Sequence, residues 1–276
     1  MNNKRASLLR KIVIVIVGLM MFVPLYICII NSFKSTEDII RNPFSPFVDL
    51  TFNNIRSVFV NPNMNMFNMY KNSFALVIVS LIIILVITPM AGYYIARSSK
   101  KRGNLILTIY LAGMMIPPQV MLIPLVKIYS NLGLLGSFTG MYIFYSGAFV
   151  SVAVMLFSKY IKSIPYELEE SAYIDGANPL MVFWRIIFPL LKPVTATVAI
   201  FVGRAIWNDF LMPLYLLGGK GSETVTTGIY KAIGPYSADW GTVFATVFVS
   251  AIPMVILFLS MQKHFMGGLT DGAVKS

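Results

Sequence analysis

Charge is what this chain has least of. Only 12% of its 276 residues are charged, against about 25% in a soluble domain, so a membrane protein is the first reading. Acids are scarcer still, with 11 Asp and Glu against 22 Lys and Arg and a formal net charge of +11. The basic residues flank apolar runs and form no separate basic face, which argues against nucleic acid as a partner. A single cysteine, Cys28, excludes an internal disulfide and a cysteine-based metal cluster. It lies in an apolar run, where a buried inert thiol is expected, and Leu25-Tyr26-Ile27-Cys28 lacks the small residues of a lipidation site. The one histidine, His264, has no serine and carboxylate set beside it and is read as an interfacial polar residue. Neither GxxxxGK[S/T] nor HExxH occurs. The chain is therefore read as non-enzymatic, with no cofactor and no metal, and its energy source must be a partner.

What is present is apolar sequence, 57% of the chain. Six runs approach or exceed the ~20 residues that cross a bilayer: 12–30, 72–96, 103–126, 141–158, 193–217 and 240–262. The first is longer than the ~7–15 residues of a signal-peptide core and lacks a small-residue cleavage site, so it is read as an uncleaved span. Thr88-Pro89 is expected to bend the second run, and Pro117-Pro118-Gln119 interrupts the third. The longest polar connection, 31–71, is rich in Asn and Pro, and its length suggests a small structured external segment. The fold class is all-α, a polytopic membrane protein with six transmembrane helices. Six spans put both termini on one face. That face carries fourteen Lys and Arg and the other carries seven, so the positive-inside rule places the termini in the cytoplasm of a cell-membrane protein.

One polar stretch, 163–193, stands apart. Glu167, Glu169 and Glu170, three of the eleven acids, fall within four residues. Ser163 is read as the N-cap of a helix with Pro165 in its first turn and the glutamates near its positive end. Gly176 supplies a left-handed turn. Asn178 caps a second helix with Pro179 at its first position, and Pro189 and Pro193 end or bend it.

The spacing Glu170-Ser171-Ala172, Gly176, then Ile186-Ile187-Phe188-Pro189 resembles the cytoplasmic loop of permease subunits of ABC importers: Glu-Ala-Ala, three residues, Gly, nine residues, Ile-x-Leu-Pro. Ser171 and Phe188 depart from that pattern. The resemblance extends along the chain through Asn72-Ser73, Ala91-Gly92-Tyr93-Tyr94-Ile95-Ala96-Arg97, Met115-Ile116-Pro117, Ile123-Pro124-Leu125, Leu132-Gly133-Leu134, Trp207-Asn208-Asp209-Phe210, Asp239-Trp240-Gly241 and the tail Gly268-Leu269-Thr270-Asp271-Gly272-Ala273-Val274-Lys275. Together these fragments look like the maltose-type second permease subunit of carbohydrate importers, with an ABC-importer permease (MetI-like) architecture.

The resemblance implies a coupling helix that docks in a cleft of a separate ATPase, with Leu168, Glu170, Ser171, Ala172, Ile174, Asp175, Gly176 and Pro189 as its residues. It further implies a second permease subunit as heterodimer partner, two ABC ATPase subunits and an extracytoplasmic solute-binding protein. It divides the chain into 1–71, with the first span and external loop, a permease core at 72–265 holding the coupling loop 159–192, and a cytoplasmic tail at 266–276.

Span five sets Arg204, Trp207, Asn208 and Asp209 among apolar residues. Polar groups at membrane depth face a bundle interior or a wet cavity, and Arg204 and Asn208, four apart, share a helical face. With Gln119 they are candidates for a sugar path, which needs ring faces for stacking and polar groups for hydroxyls. A structural Arg–Asp interaction is the other reading. The alternative function is an ion-gradient-driven secondary transporter of a small polar solute. It would call for more intramembrane carboxylates and an internal repeat.

Overall fold

A computed structural model describes residues 2–46, 49–60, 65–219, 221–233 and 239–273. The side chains of His264 and of the tail 266–276, and residues 274–276 altogether, lie outside what is described. Among the described residues there are helices and no strand. In order they are α1 (Asn2–Asn31), α2 (Thr36–Arg41), α3 (Asn53–Val60), α4 (Met66–Arg97), α5 (Lys100–Met114), α6 (Leu122–Asn131), α7 (Phe138–Lys162), α8 (Glu167–Ile174), α9 (Pro179–Val182), a π-helical turn Phe183–Ile187, α10 (Phe188–Leu190), α11 (Lys192–Asn208), α12 (Leu211–Leu216), α13 (Val225–Ile233) and α14 (Trp240–Ala273).

Among the described residues, four stretches are long and apolar enough to cross a membrane: Arg10–Asn31, Met66–Arg97, Phe138–Lys162 and Trp240–Leu257. A fifth candidate is bent by 71° between Pro179–Leu190 and Lys192–Asn208. The third expected span is split. Pro117-Pro118 lie in the break between α5 (15 residues) and α6 (10 residues), and neither piece alone reaches the ~20 residues of a bilayer crossing. Proline fixes its own backbone, denies a donor and pushes the residue before it out of the helical region, so two in succession end α5. In α4, by contrast, the helix runs unbroken through Pro89. There the hydroxyl of Thr88 donates to Ile84 O at 2.7 Å.

The chain forms two compact units. The first holds residues 1–67 and 227–255. None of the apolar window of α1 is buried within the chain, as suits a helix whose solvent is lipid. The connection after α1 does fold into a small structured segment. Phe33 packs edge-on against Phe52 and Phe248, with centroids 5.4 and 5.9 Å away. The amide of Asn54 donates to Ser32 O and Lys34 O. Its side chain lies so close to Gly241 that a Cβ there would sit 2.7 Å from it. Lys34 is 2% exposed, and its ammonium donates to Asn42 O, Ser45 O and Ser45 Oγ. Burial pushes its pKa down, with Asp38 opposing. Asp239 accepts from the hydroxyls of Thr36 and Thr242, each at 2.6 Å. Burial alone would raise that carboxyl, but these bonds outweigh it and hold the pKa below the ordinary value.

The second unit holds residues 68–226 and 256–276. Its core is formed by buried side chains of α4, α7, α11 and the π turn, among them Leu76, Ile84, Phe157, Ile161, Phe183, Ile187, Val198 and Ile206. Small residues let the helices close up. A Cβ on Gly92 would lie 2.7 Å from Phe157 Cβ, so α4 and α7 cross with backbone nearly touching side chain.

Candidate functional site

Two polar clusters lie in the second unit. The first is built on α8. Here Ser163 does not cap that helix. α7 continues to Lys162, Ser163 is its C-terminal cap residue, and its hydroxyl donates back to Tyr160 O at 2.7 Å. α8 starts only at Glu167, leaving Pro165 ahead of it. The rest of the stretch folds as the sequence indicates. Gly176 has φ +82°, its N–H reaches Tyr173 O, and Ala177 N–H reaches Ala172 O. Together these bonds close a helix with a left-handed residue. Asn178 accepts from Met181 N–H at 2.9 Å, with Pro179 next. Pro189 does not end the following helix. The π-helical turn just before it absorbs the missing donor, and the 71° bend comes after it.

α8 has two faces. Leu168, Glu170, Ser171 and Ile174 are exposed, as are Asp175, Gly176 and Pro189 beyond it. Ile174 is 87% exposed. The inner face carries Ala172, buried in the core, and Glu169, which is 1% exposed. Glu169 is where sequence reading fell short. It was legible only as one of three acids near a helix start. In the fold its carboxylate accepts from Tyr93 Oη at 2.6 Å and from Arg97 Nε at 2.7 Å. The Arg97 guanidinium also forms an ion pair with Glu169 at 2.6 Å and donates to Ile164 O at 3.1 Å. It lies over the Tyr166 ring, 5.5 Å from its centroid. Tyr93 in turn packs against Phe183 of the π turn. The signal available was the i, i+4 spacing of Tyr93 and Arg97, which puts both on one face at the end of α4.

The second cluster lines a cavity of about 250 Å³. Gln119, Asn208 and Asp209 meet there, with Tyr145, Phe144 and Phe149 supplying aromatic surface. Asp209 sits at the junction of α11 and α12. One carboxylate oxygen accepts from Leu211 and Met212 N–H, capping α12, and the other accepts from Tyr145 Oη at 3.0 Å. Its backbone carbonyl accepts from the Thr226 hydroxyl at 2.7 Å. No cation faces Asp209 among the described residues, so the expected Arg–Asp alternative is replaced by neutral donors. Arg204 is exposed and, like Trp207, does not line this cavity. Trp207 is 5% exposed, packed against Tyr70 and Phe74 at 6.3 and 5.0 Å. Tyr145 was missed. A phenol in an apolar run needs a partner for its hydroxyl, and that was the signal.

The chain can now be set beside known proteins. Residues 88–266 match the family model described as binding-protein-dependent transport system inner membrane component. The multiple sugar-binding transport system permease protein MsmG of Streptococcus mutans is 33% identical over 96% of each chain. The melibiose/raffinose/stachyose import permease protein MelC of Bacillus subtilis is 31% identical over the whole of both. A solved bacterial ABC transporter for import of the acidic polysaccharide alginate contains a chain with the same fold, TM-score 0.85 and 22% identity, covering 96% of this chain and 98% of that one. The matched region holds α8, both polar clusters, α7, α11, most of α14 and the last ten residues of α4, and relatives at 31–33% identity extend the match end to end. The chain belongs to the family of inner membrane components of binding-protein-dependent transport systems.

Proposed function

We propose that this chain is the membrane-spanning permease subunit of an ATP-driven importer for a carbohydrate. The observation that carries the reading is the two-faced α8. A helix fixed from within by Glu169 and Ala172 presents Leu168, Glu170 and Ile174 outward beside the glycine turn. Such a surface suits insertion of a short helix into a groove. ATP hydrolysis belongs to two separate ATPase subunits, and α8 within the loop 159–192 is the segment that docks on them. A second permease subunit completes the pore, and a solute-binding protein delivers the cargo from outside. ATP binding closes the ATPase pair, moves α8 and switches the pore between inward- and outward-facing states.

Six crossings, with α5, α6 and the intervening turn counted as the third, fit the charge asymmetry of the sequence and put both termini and α8 in the cytoplasm. The carbohydrate reading rests on relatives named for melibiose, raffinose, stachyose and diacetylchitobiose uptake. The mix of rings and polar groups that Gln119, Asn208, Asp209 and Tyr145 bring to the cavity also supports it.

Two measurements test this. The complex reconstituted with its ATPase and binding protein should hydrolyse ATP faster with at least one member of a panel of oligosaccharides, and a response to none of them would remove the carbohydrate reading. Glu170→Lys should reduce co-purification of the ATPase, while Glu223→Lys should not. The reverse pattern would invert the topology.

A further inference from the structure

We propose that the Tyr93–Arg97–Glu169 cluster is a mechanical joint, through which displacement of α8 is delivered to α4 and carried along it to residues 221–225. The inference rests on the reading of α8 as the docking helix. Arg97 holds Glu169 of α8 and Ile164 O of the linker before it, so α8 and its approach are gripped by one guanidinium at the end of α4. Tyr93, one turn back, holds the second carboxylate oxygen. These contacts bypass the covalent route out of α8, which runs through the Gly176 turn and a 71° bend before reaching α11.

α4 is one unbroken helix of 32 residues, about 48 Å long at 1.5 Å per residue. Near its other end the amide of Asn72 donates to Gly221 O and Glu223 O at 3.0 and 2.9 Å. Ser73 Oγ accepts from Val225 N–H at 3.0 Å. Tyr70 and Phe74 grip Trp207. A push on Glu169 therefore has a continuous helical path, past Pro89, to the 221–225 turn and to the residue next to Asn208.

The experiment uses the assembled permease–ATPase complex with Cys28→Ser and a reporter cysteine at Ser222→Cys. A hydrophilic maleimide reads its reactivity without nucleotide and with Mg-ATP and vanadate. The parent complex should change its labelling rate several-fold between the two states. Glu169→Gln removes the charge and keeps the shape, so it should retain the ATPase but reduce that change at least threefold. Arg97→Lys, which keeps the charge and loses the fork, should fall between. If Glu169→Gln does not accumulate, Tyr93→Phe carries the test, with a reduction of about twofold expected from one lost hydrogen bond.

A full nucleotide response in a well-assembled Glu169→Gln complex would overturn the joint, and so would a parent whose reporter ignores nucleotide. Loss of the ATPase from Glu169→Gln would overturn it as well, since the cluster would then only shape the docking face. The docking reading fails separately, if Ile174→Asp and Glu170→Lys both leave the ATPase bound.

Discussion

The two polar clusters of the second unit are built on opposite plans. At α8 a full charge pair is sealed, with Glu169 1% exposed and Arg97 19% exposed. At the α11–α12 junction a carboxylate has no cation among the described residues and relies on a tyrosine hydroxyl and two backbone N–H groups, with a cavity beside it. A sealed ion pair fixes one geometry, because either charge left alone is costly. A cavity-facing carboxylate held by neutral donors tolerates exchange of those partners for water or for a ligand's hydroxyls. The first plan suits a part that must transmit force, and the second a part that must bind and release.

The largest expected effect tests the sealed plan. Glu169→Ala strands the Arg97 charge and should destabilise the permease by about 3–5 kcal/mol. Its neighbour Glu170 is exposed, and Glu170→Ala should stay within about 0.5 kcal/mol. Thermal unfolding of the purified complex reads both, and equal shifts would erase the distinction between the two faces.

Asp209→Ala tests the open plan. Loss of the cap on α12 costs about 1 kcal/mol. The Tyr145 hydroxyl loses its acceptor, but the cavity admits water, which limits that cost to about 1 kcal/mol. The expected sum of roughly 2 kcal/mol is smaller than at Glu169 even though both changes delete a carboxylate. Sugar uptake should fall at least tenfold in the same variant, with assembly intact. Collapse of assembly would show that Asp209 serves the α11–α12 corner alone.

The difference between the clusters also explains what the sequence revealed. Local signals were sufficient where the chain decides locally. Gly176 turned left-handed, Asn178 capped and Pro179 followed, because each needs only its near neighbours. Long uncharged runs disclosed α1, α4, α7 and α14 for the same reason. Ser163 misled because its hydroxyl had two local options, to cap forward or bond back, and the continuation of α7 decided. The ion pair of Glu169 and Arg97 spans 72 residues, and no periodicity reports such a distance. Helical spacing put Arg204 with Asn208, yet only Asn208 reaches the cavity. A shared face says which residues are neighbours on one helix and not what lies across from them.

Gly176→Ala probes the turn that closes α8. Beyond its chain neighbours no heavy atom lies within 4 Å of the added Cβ, so the cost is backbone strain alone, about 1–2 kcal/mol for a left-handed residue. A stiffer unfolded chain offsets about 0.4–1 kcal/mol of it, leaving roughly 1 kcal/mol. ATP hydrolysis stimulated by the binding protein should fall more than stability does. If stability falls while stimulation holds, the turn only terminates the helix and does not set its docking angle.

The smallest effect on stability is the most informative about the outer face of α8. Ile174 is 87% exposed, so Ile174→Ala removes almost no buried surface and the isolated permease should unfold within about 0.5 kcal/mol of the parent. If the outer face is buried by the ATPase, the same truncation removes apolar area from that interface at about 25 cal/mol per Å². ATPase affinity should then drop about 5- to 30-fold, measured by titrating the ATPase onto permease in nanodiscs. Ile40 is similarly exposed on α2 at 68%, in the connection after α1 and not in the loop proposed to dock, and Ile40→Ala should change neither quantity. Exposure alone cannot separate a docking face from an idle one, since both isoleucines have it. Only the pairing of unchanged stability with weakened association identifies Ile174 as a contact, and equal behaviour of the two variants would leave α8 with an inner face that is built and an outer face that is merely solvated.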